Sequence, residues 1–386
     1  MRKIIRNFKD LDKPLLIITI AFFIFGLLNI VTASSSESVT RYNTSLYYYF
    51  FQQLKMLGTG FGLALIIINV DTKKYRALAP LLFLIIVALL LYLLFAGSDT
   101  RGSRNWLYIM GFTFQPSEFA KPIMIVCLGL LFEIFYKKLR NKKINHMNMI
   151  GIILIAGVLI PLIVFLQKDF GTMLILTSIF GVMFLASPVN RIEKLRTIVF
   201  LGGLGLVFCL VLIAVKGYVL NPTQMSRFDF LNPCDRYETG GYQVCNGFIA
   251  LNNGGLFGVG ISKSTQKYSY IPEPHTDSIF AIIGEEYGVI RCFFVFLAYI
   301  YVLKRIMDLA SIANTIRGKY FCLGIGTYIF MHILVNLGGL FGVMPLTGVP
   351  LPFLSYGGSF TISLIVSLAI VQRVAIETKN QKIKIR

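Results

Sequence analysis

The sequence predicts an all-α polytopic membrane protein with ten transmembrane helices and a large external loop between spans 7 and 8. Hydrophobic residues make up 56% of the 386 residues and charged residues only 14%, whereas a soluble domain carries about 25% charge. So few charges cannot cover a water-facing surface, and lipid must therefore be the main solvent. The composition excludes a cytosolic enzyme, a secreted disulfide scaffold and a disordered protein.

Ten apolar stretches have the length of about 20 residues that a helix needs to cross a bilayer core of roughly 30 Å. We interpret the first as a span rather than a cleaved signal peptide, because it lacks a small-residue cleavage site and further spans follow it. A single membrane domain is therefore predicted over residues 1–386. The predicted spans lie near 14–33, 47–70, 77–96, 117–136, 147–166, 170–187, 197–216, 277–303, 318–341 and 355–374.

The basic residues between the spans predict the orientation of the chain. The two terminal segments and every second segment between spans together contain 25 Lys and Arg residues, whereas the remaining segments between spans contain 8. Because basic residues gather in cytoplasmic loops, both termini are predicted to be cytoplasmic and the poorly charged loops to face outward. The net charge of +19 follows from the same rule, so no nucleic-acid partner is expected.

Three outward segments are too long or too patterned to be simple connectors. Residues 97–116 carry polar residues around a single Trp, and residues 217–276 form the large extracellular loop, which holds most of the polar chemistry. Residues 342–354 are apolar but contain three prolines, so they cannot form one continuous helix. We expect this third segment to fold against or dip into the membrane, where protein shelters its backbone.

Several soluble-enzyme motifs are missing from the sequence. The three His residues are far apart, and no HExxH or other paired metal-ligand spacing occurs. The glycine-rich stretch 255–264 lacks the GK[ST] ending of a phosphate loop. Cys234 and Cys245 lie together in the external loop, where either a disulfide or two free thiols is possible; a disulfide would contribute about 2–3 kcal/mol.

Two charged residues at the outer start of the fourth span are candidate functional groups, because ionisable groups are costly in lipid. Glu118 and Lys121 are three residues apart and therefore share one helical face. They form either a structural ion pair or, with Arg104 and Trp106 just before them, an anion site in which Arg holds a phosphate.

Asp277 begins the eighth predicted span and allows two interpretations. A carboxylate in the first turn of a helix is favoured by the helix dipole, which makes Asp277 a structural acid. Partial burial would instead raise its pKa and make it a general base at the outer membrane surface. Glu285 and Glu286 lie deeper in the same helix. Because adjacent residues point to different faces of a helix, at most one of them is expected to face a cavity with Asp277.

Ser355, at the glycine-rich start of the tenth span, is either a packing residue or a hydrogen-bond donor.

Three external segments, taken together, resemble the SEDS family of cell shape, elongation, division and sporulation proteins, which includes RodA and FtsW. The matching pieces are RNWLYIMGFTFQPSEFAK at 104–121, GGYQVCNGFIALNNGGLFGVGISKSTQKYSYIPEPHTDSIFAIIGEEYG at 240–288 and NLGGLFGVMPLTGVPLPFLSYGGS at 336–359. They occur in the order of the family, and the ten predicted spans extend the resemblance over almost the whole chain. Ser278, Asn105 and Phe360 depart from the family pattern, which usually has Phe, a basic residue and Ser at these positions.

The resemblance implies a peptidoglycan glycosyltransferase, a multi-pass protein of the bacterial cytoplasmic membrane that polymerises undecaprenyl-linked lipid II at its outer face for division or elongation. It implies that the essential acid is Asp277, that Arg104, Glu118 and Lys121 surround a central cavity, and that the partner is a class B penicillin-binding protein. A divalent cation could share the diphosphate charge, although the sequence offers no ligand set for it. The alternatives are a lipid II flippase or transporter and a non-catalytic scaffold for the penicillin-binding protein. Further substrate-binding candidates are Trp106, His275 and Ser355.

Overall fold

The fold is almost entirely helical, in a computed structural model that describes residues 2–40, 44–97, 104–109, 112–140, 146–217, 232–268 and 270–385. In chain order the helices are α1 Arg2–Lys9, α2 Lys13–Thr40, α3 Tyr48–Asn69, α4 Tyr75–Ala96, α5 Pro116–Arg140, α6 His146–Leu166, α7 Phe170–Ala186, α8 Arg191–Lys216, α9 Tyr242–Gly254, α10 Ile279–Ile312, α11 Ile316–Leu340 and α12 Gly358–Ile385. The predicted all-α membrane fold is confirmed.

Each of the ten predicted spans falls on one of these helices. Within the described part of the chain, eight helical segments are long and apolar enough to cross a membrane. Helix α7 has only 17 residues, and α10 is interrupted at Gly288, whose backbone is non-helical. Glu285, Glu286 and Arg291 are charged residues that flank this break. The count of ten crossings therefore stays a prediction that the helices are compatible with.

Helix α11 lies at the centre of the bundle, in contact with α5, α7, α10 and α12. Small residues allow these helices to approach closely, as is usual between membrane helices. A side chain at Gly129 of α5 would lie 2.7 Å from the ring of Phe321, and one at Gly324 would lie 2.7 Å from Ile125. In helix α8, by contrast, no residue of the most apolar stretch is buried inside the protein. Its hydrophobic side chains are therefore left to face lipid.

Ion pairs join the helix ends on the face that the sequence predicts to be cytoplasmic. Arg305 of α10 contacts Asp12, just before α2, at 2.6 Å. Arg317 of α11 is buried and donates to both carboxylate oxygens of Glu133 on α5 at 2.9 Å. A buried charge whose partner is removed is strongly destabilising, so these pairs hold the ends of the bundle in a defined arrangement.

The outer segments contain more regular structure than the sequence suggests. Residues 107–109 and 112–114 form two short antiparallel strands, β1 (Leu107–Ile109) and β2 (Phe112–Phe114). The long segment 217–276 contains α9, which packs on α10. Cys234 and Cys245 form a disulfide across the start of α9, with Cα atoms 4.9 Å apart. Of the two possibilities left open by the sequence, the structure therefore has the disulfide.

The two glutamates of α10 hold the loop that follows α9. Glu285 accepts hydrogen bonds from the hydroxyls of Ser264 and Thr265, and it is fully buried. Glu286 forms a buried ion pair with Lys267 at 3.1 Å. Both carboxylates are thus engaged by loop residues, which accounts for their presence in an otherwise apolar helix without a catalytic role.

The proline loop, residues 342–357, has no regular secondary structure, as its prolines predict. The apolar side chains of its second half are buried, with Leu351 and Leu354 completely inaccessible, whereas Val343 near its start is exposed. Phe353 stacks on Phe22 of α2 with ring centroids 5.2 Å apart. The loop therefore folds into the protein, where its irregular backbone is shielded from lipid.

The contact between α2 and the proline loop requires a glycine at position 26. A Cβ on Gly26 would lie 2.2 Å from the carbonyl oxygen of Phe353, so we expect Gly26→Ala to destabilise the fold by about 1–3 kcal/mol through overpacking. Gly62→Ala on α3 is the matched control, because no atom of the described residues lies within 4 Å of its added Cβ. Thermal unfolding in detergent measures both. Equal midpoints for the two variants would contradict the close contact.

Candidate active site

Asp277 lies just before α10, where a half-buried carboxylate is surrounded by polar groups. Its Oδ1 accepts hydrogen bonds from Gln243 and from Thr276, each at 3.3 Å. A Cβ at Gly348 of the proline loop would lie 3.8 Å from its Oδ2. Ser278, not Asp277, is the N-cap residue, and the first turn of α10 contains no acid. Helix capping therefore does not explain Asp277, which lies one residue before the N-cap rather than in the first turn.

Glu118 and Lys121 form the ion pair that their spacing allows. The Lys121 Nζ contacts Glu118 Oε1 at 2.7 Å, and both residues are buried at the start of α5. The same ammonium lies 2.9 Å from the Nε2 atom of His332 and 5.5 Å from the centre of the Tyr328 ring. Ser363 of α12 donates to the backbone carbonyl of Glu118 at 2.7 Å. Lys121 is thus a cation held by three side chains in the interior of the bundle.

His332 and Asn336 of α11 connect this cation to Asp277 through the proline loop. The Nδ1 atom of His332 lies 3.1 Å from the carbonyl oxygen of Pro350. Because a carbonyl only accepts, Nδ1 carries the hydrogen, and Nε2 of the neutral ring accepts from Lys121. Asn336 donates to the carbonyl oxygens of Val349 at 2.8 Å and of Asp277 at 2.7 Å. The structure therefore joins the two predicted charged sites by a continuous set of contacts.

Arg104 lies away from these contacts, at the protein surface. Its guanidinium donates to the carbonyl oxygen of Leu94 at 3.4 Å, and its backbone N–H donates to Gln167. Arg104 lines a small surface cleft together with the exposed Lys168. Trp106 is half-buried in the same segment. Within the described residues, the contacts of Arg104 thus lie with the ends of α4 and α6 rather than with the Lys121 pair.

His275 occupies a buried position two residues before Asp277. Its Nδ1 lies 3.3 Å from a carboxylate oxygen of Glu37 on α2, and its ring packs against that of Tyr49 at a tilt of 43°, with centroids 4.1 Å apart. Its carbonyl accepts from the backbone N–H of Tyr356 at 2.8 Å. His275 thus anchors the segment that carries Asp277, and a role in substrate binding stays a prediction.

Ser355 faces the interior of the proline loop. Its hydroxyl accepts a hydrogen bond from the backbone N–H of Leu351 at 2.8 Å, and the side chain is buried. This contact closes the turn that ends the loop, which agrees with the packing interpretation. Binding of substrate by Ser355 is not tested by the structure and also stays a prediction.

The three positions that depart from the SEDS pattern all make specific contacts, and two of them, Ser278 and Phe360, contact residues of the site. The Ser278 hydroxyl accepts from Gln243, which also reaches Asp277, at 2.9 Å. Asn105 donates to Asp169, the residue that caps α7, at 2.8 Å. Phe360 stacks on the His332 ring with centroids 4.6 Å apart. The departures are therefore accommodated by specific contacts rather than by empty space.

His332, Asn336 and Gln243 are site residues that the sequence motifs do not indicate. The spacing of His332 from the other two His residues speaks only against a metal site. The signal that could have found His332 is a titratable side chain within an apolar span, which is rare in lipid. Asn336 lies one turn further on the same helix face, so the pair was visible as a polar stripe on an apolar stretch.

The described residues around this site provide no all-protein ligand set for a divalent cation. Over the described ranges, no three His, Cys, Asp or Glu side chains are grouped as metal ligands. Glu118 is already engaged by Lys121. No chemical step is therefore assigned to a metal ion.

The chain matches known proteins over almost its full length. A family model described as cell cycle protein, covering FtsW, RodA and SpoVE, matches residues 13–380. The chain is 32% identical to a Bacillus subtilis (strain 168) protein named probable peptidoglycan glycosyltransferase FtsW, over 97% of this chain and 93% of that protein. It is also 32% identical to stage V sporulation protein E of the same organism, over 94% of this chain and 96% of the other.

Two solved structures share the fold. One, described as structural coordination of polymerization and crosslinking by a peptidoglycan synthase complex, matches with a TM-score of 0.73 at 24% identity, over 95% of this chain and 98% of the other. The other is the rod shape determining protein RodA of Thermus thermophilus, with a TM-score of 0.67 at 22% identity, over 95% of this chain and 96% of the other. The helical architecture is therefore an established one.

Proposed function

Since the chain belongs to the FtsW, RodA and SpoVE family of cell cycle proteins, we propose that it is a peptidoglycan glycosyltransferase that polymerises lipid II at the outer face of the cytoplasmic membrane. The names of relatives such as the Bacillus subtilis protein support this activity. The single observation that carries the proposal is the placement of Asp277, a half-buried acid outside the first turn of α10 and joined by contacts to a buried cation.

The proposed reaction forms a glycosidic bond and releases a diphosphate. The donor is a growing glycan on undecaprenyl diphosphate, and the acceptor is the 4-hydroxyl of the GlcNAc of a new lipid II. As the acceptor oxygen bonds to the anomeric carbon of the donor, the bond to the diphosphate oxygen breaks and takes the electron pair with it. The hydroxyl proton goes to a base, and general base catalysis typically contributes about 10²–10⁴-fold to such a rate.

Asp277 is the proposed base. Its carboxylate is half-buried rather than enclosed, so an acceptor hydroxyl can approach it from the outer side. The hydrogen bonds from Gln243 and Thr276 both reach Oδ1, and Oδ2 faces the proline loop near Gly348. These contacts orient the carboxylate toward the loop and α9.

Lys121 is the proposed electrostatic support for the leaving diphosphate, with Glu118 orienting it. The ammonium is buried and held at 2.7 Å by Glu118, and in a water-poor interior a fixed charge acts over a longer distance than in solution. A preorganised cation of this kind stabilises negative charge that develops in the transition state. Arg104, exposed at the rim beside Lys168, is proposed to contact the lipid-linked diphosphate from the surface.

The proposed partner is a class B penicillin-binding protein that cross-links the product strands. One solved structure with this fold belongs to a complex that couples polymerization and crosslinking, which supports such a partner. The distribution of Lys and Arg supports an orientation in which both termini are cytoplasmic and the segment 217–276 faces outward. In that orientation Asp277 lies on the side of the membrane where the wall grows.

Product analysis tests the proposed function. Purified full-length protein, alone and with the class B penicillin-binding protein from the same cell, is incubated with labelled lipid II, and the products are separated by length. We expect glycan strands that a muramidase digests. The absence of strands in both mixtures, with lipid II crossing vesicle membranes instead, would support a flippase. A stable complex with the penicillin-binding protein that neither forms strands nor moves lipid II would indicate a scaffold.

A further inference from the structure

Two adjacent carbonyl groups of the proline loop are held by side chains one turn apart on α11. Asn336 donates to the carbonyl oxygen of Val349, and His332 donates to that of Pro350. Because residues four apart on a helix lie on the same face, the two side chains can hydrogen-bond to consecutive peptide groups of the loop. The loop therefore has a fixed position relative to α11 at this point.

Each of these side chains also contacts one member of the proposed catalytic machinery. Asn336 donates to the backbone carbonyl of Asp277 at 2.7 Å, and His332 accepts from the ammonium of Lys121 at 2.9 Å. A single helical turn of α11 thus lies between the proposed base and the proposed cation. Neither His332 nor Asn336 is exposed to solvent beyond 2%, so water cannot take over these hydrogen bonds.

We infer that His332 and Asn336 are positioning residues for glycosyl transfer, which together set the place of Asp277 relative to Lys121. The inference rests on the proposed function, because it assigns a role in that reaction. Both act through other groups: Asn336 through the peptide of Asp277, and His332 through the Lys121 side chain. Catalysis needs reacting groups in a narrow range of geometry, and small displacements are costly in rate.

The chemistry of the two side chains is what this role requires. Asn336 serves two carbonyl oxygens, and an amide nitrogen offers two hydrogens for them. A carboxylate of the same shape has no hydrogen to offer when ionised and would face two acceptors. His332 needs one donor and one acceptor, which the neutral ring supplies, and Phe360 stacked on it fixes the plane of the ring. A glutamine at position 332 also offers an acceptor for the Lys121 ammonium and a donor for the Pro350 carbonyl, so it can replace both hydrogen bonds of the His332 ring.

The test compares four variants of the full-length protein in steady-state polymerisation of lipid II. Asn336→Asp is isosteric and is expected to lower kcat by about tenfold to a hundredfold, the effect of leaving buried polar groups unsatisfied, with little change in KM. His332→Leu is expected to lower kcat by about tenfold and also to raise KM, because it releases Lys121. His332→Gln is expected to restore most of the loss. Thr327→Val is the control, since its buried hydroxyl bonds only to Leu323 of its own helix among the contacts described.

The outcomes separate this inference from the proposed function. If the unaltered protein makes no polymer, the proposed function fails. The positioning role is overturned if the unaltered protein makes polymer and the Asn336→Asp and His332→Leu variants have the same kcat and KM as the unaltered protein. Thermal unfolding of each variant controls for folding. Should Asn336→Asp not fold, the His332 pair decides: equal activity of the Gln and Leu variants would overturn the inference, and recovery only in the Gln variant supports it.

Discussion

Asp277→Asn is expected to lower the rate of lipid II polymerisation by about 10²–10⁴-fold, the usual contribution of a general base. The asparagine side chain has the same shape, and its amide oxygen can still accept the hydrogen bonds from Gln243 and Thr276. It cannot take up the proton of the acceptor hydroxyl. The fold should therefore be retained while chemistry is lost. The measurement is the initial rate of strand formation by purified protein from labelled lipid II.

Two further variants make this result specific. Asp235→Asn removes another acid of the external segment, one that is exposed and lies outside the site, and it should leave the rate unchanged. Asp277→Glu keeps a carboxylate and should retain part of the activity. Strand formation by Asp277→Asn at the rate of the unaltered protein would remove the base assignment, whatever the behaviour of the controls.

Lys121→Met is expected to lower both the stability and the activity of the protein. The substitution leaves the Glu118 carboxylate buried without its 2.7 Å partner, and an unpaired buried charge costs about 3–5 kcal/mol. The double variant Glu118→Gln/Lys121→Met removes both charges while nearly preserving volume. We expect it to regain most of the stability, because buried ion pairs can be exchanged for neutral groups at little cost, yet to remain inactive because the cation is missing.

A matched surface pair serves as the control for the Lys121 experiment. Glu193 and Arg196 have the same spacing on α8 and contact at 2.9 Å, but the Arg196 side chain is 73% exposed. Arg196→Met should therefore change the unfolding midpoint little, since exposed ion pairs contribute about 0–1 kcal/mol. Thermal unfolding in detergent and the polymerisation rate are measured for all variants. A Lys121→Met protein that uses lipid II normally would refute the electrostatic role of Lys121.

The sequence located the candidate site better than it described its architecture. Asp277 and the Glu118–Lys121 pair were found from the cost of charge in lipid, and the pair is present as its spacing predicted. The two short strands and helix α9 were not predicted. They lie in segments whose apolar and polar residues follow no single period. Packing against the rest of the fold, of β2 against α12 and of α9 against α10, therefore determines their structure more than local pattern does.

The spans and the membrane environment were determined by the sequence alone, because crossing lipid requires about 20 apolar residues and this requirement is local to each segment. The tertiary structure decided which polar groups meet. His332 and Asn336 are more than 50 residues from the acid or the cation they contact, and sequence pattern does not encode contacts over such separations without the fold. The tertiary structure also decided that Arg104 lies apart from Lys121. The segment that carries Arg104 is hydrogen-bonded to Gln167 and Asp169, at the end of α6 and the start of α7.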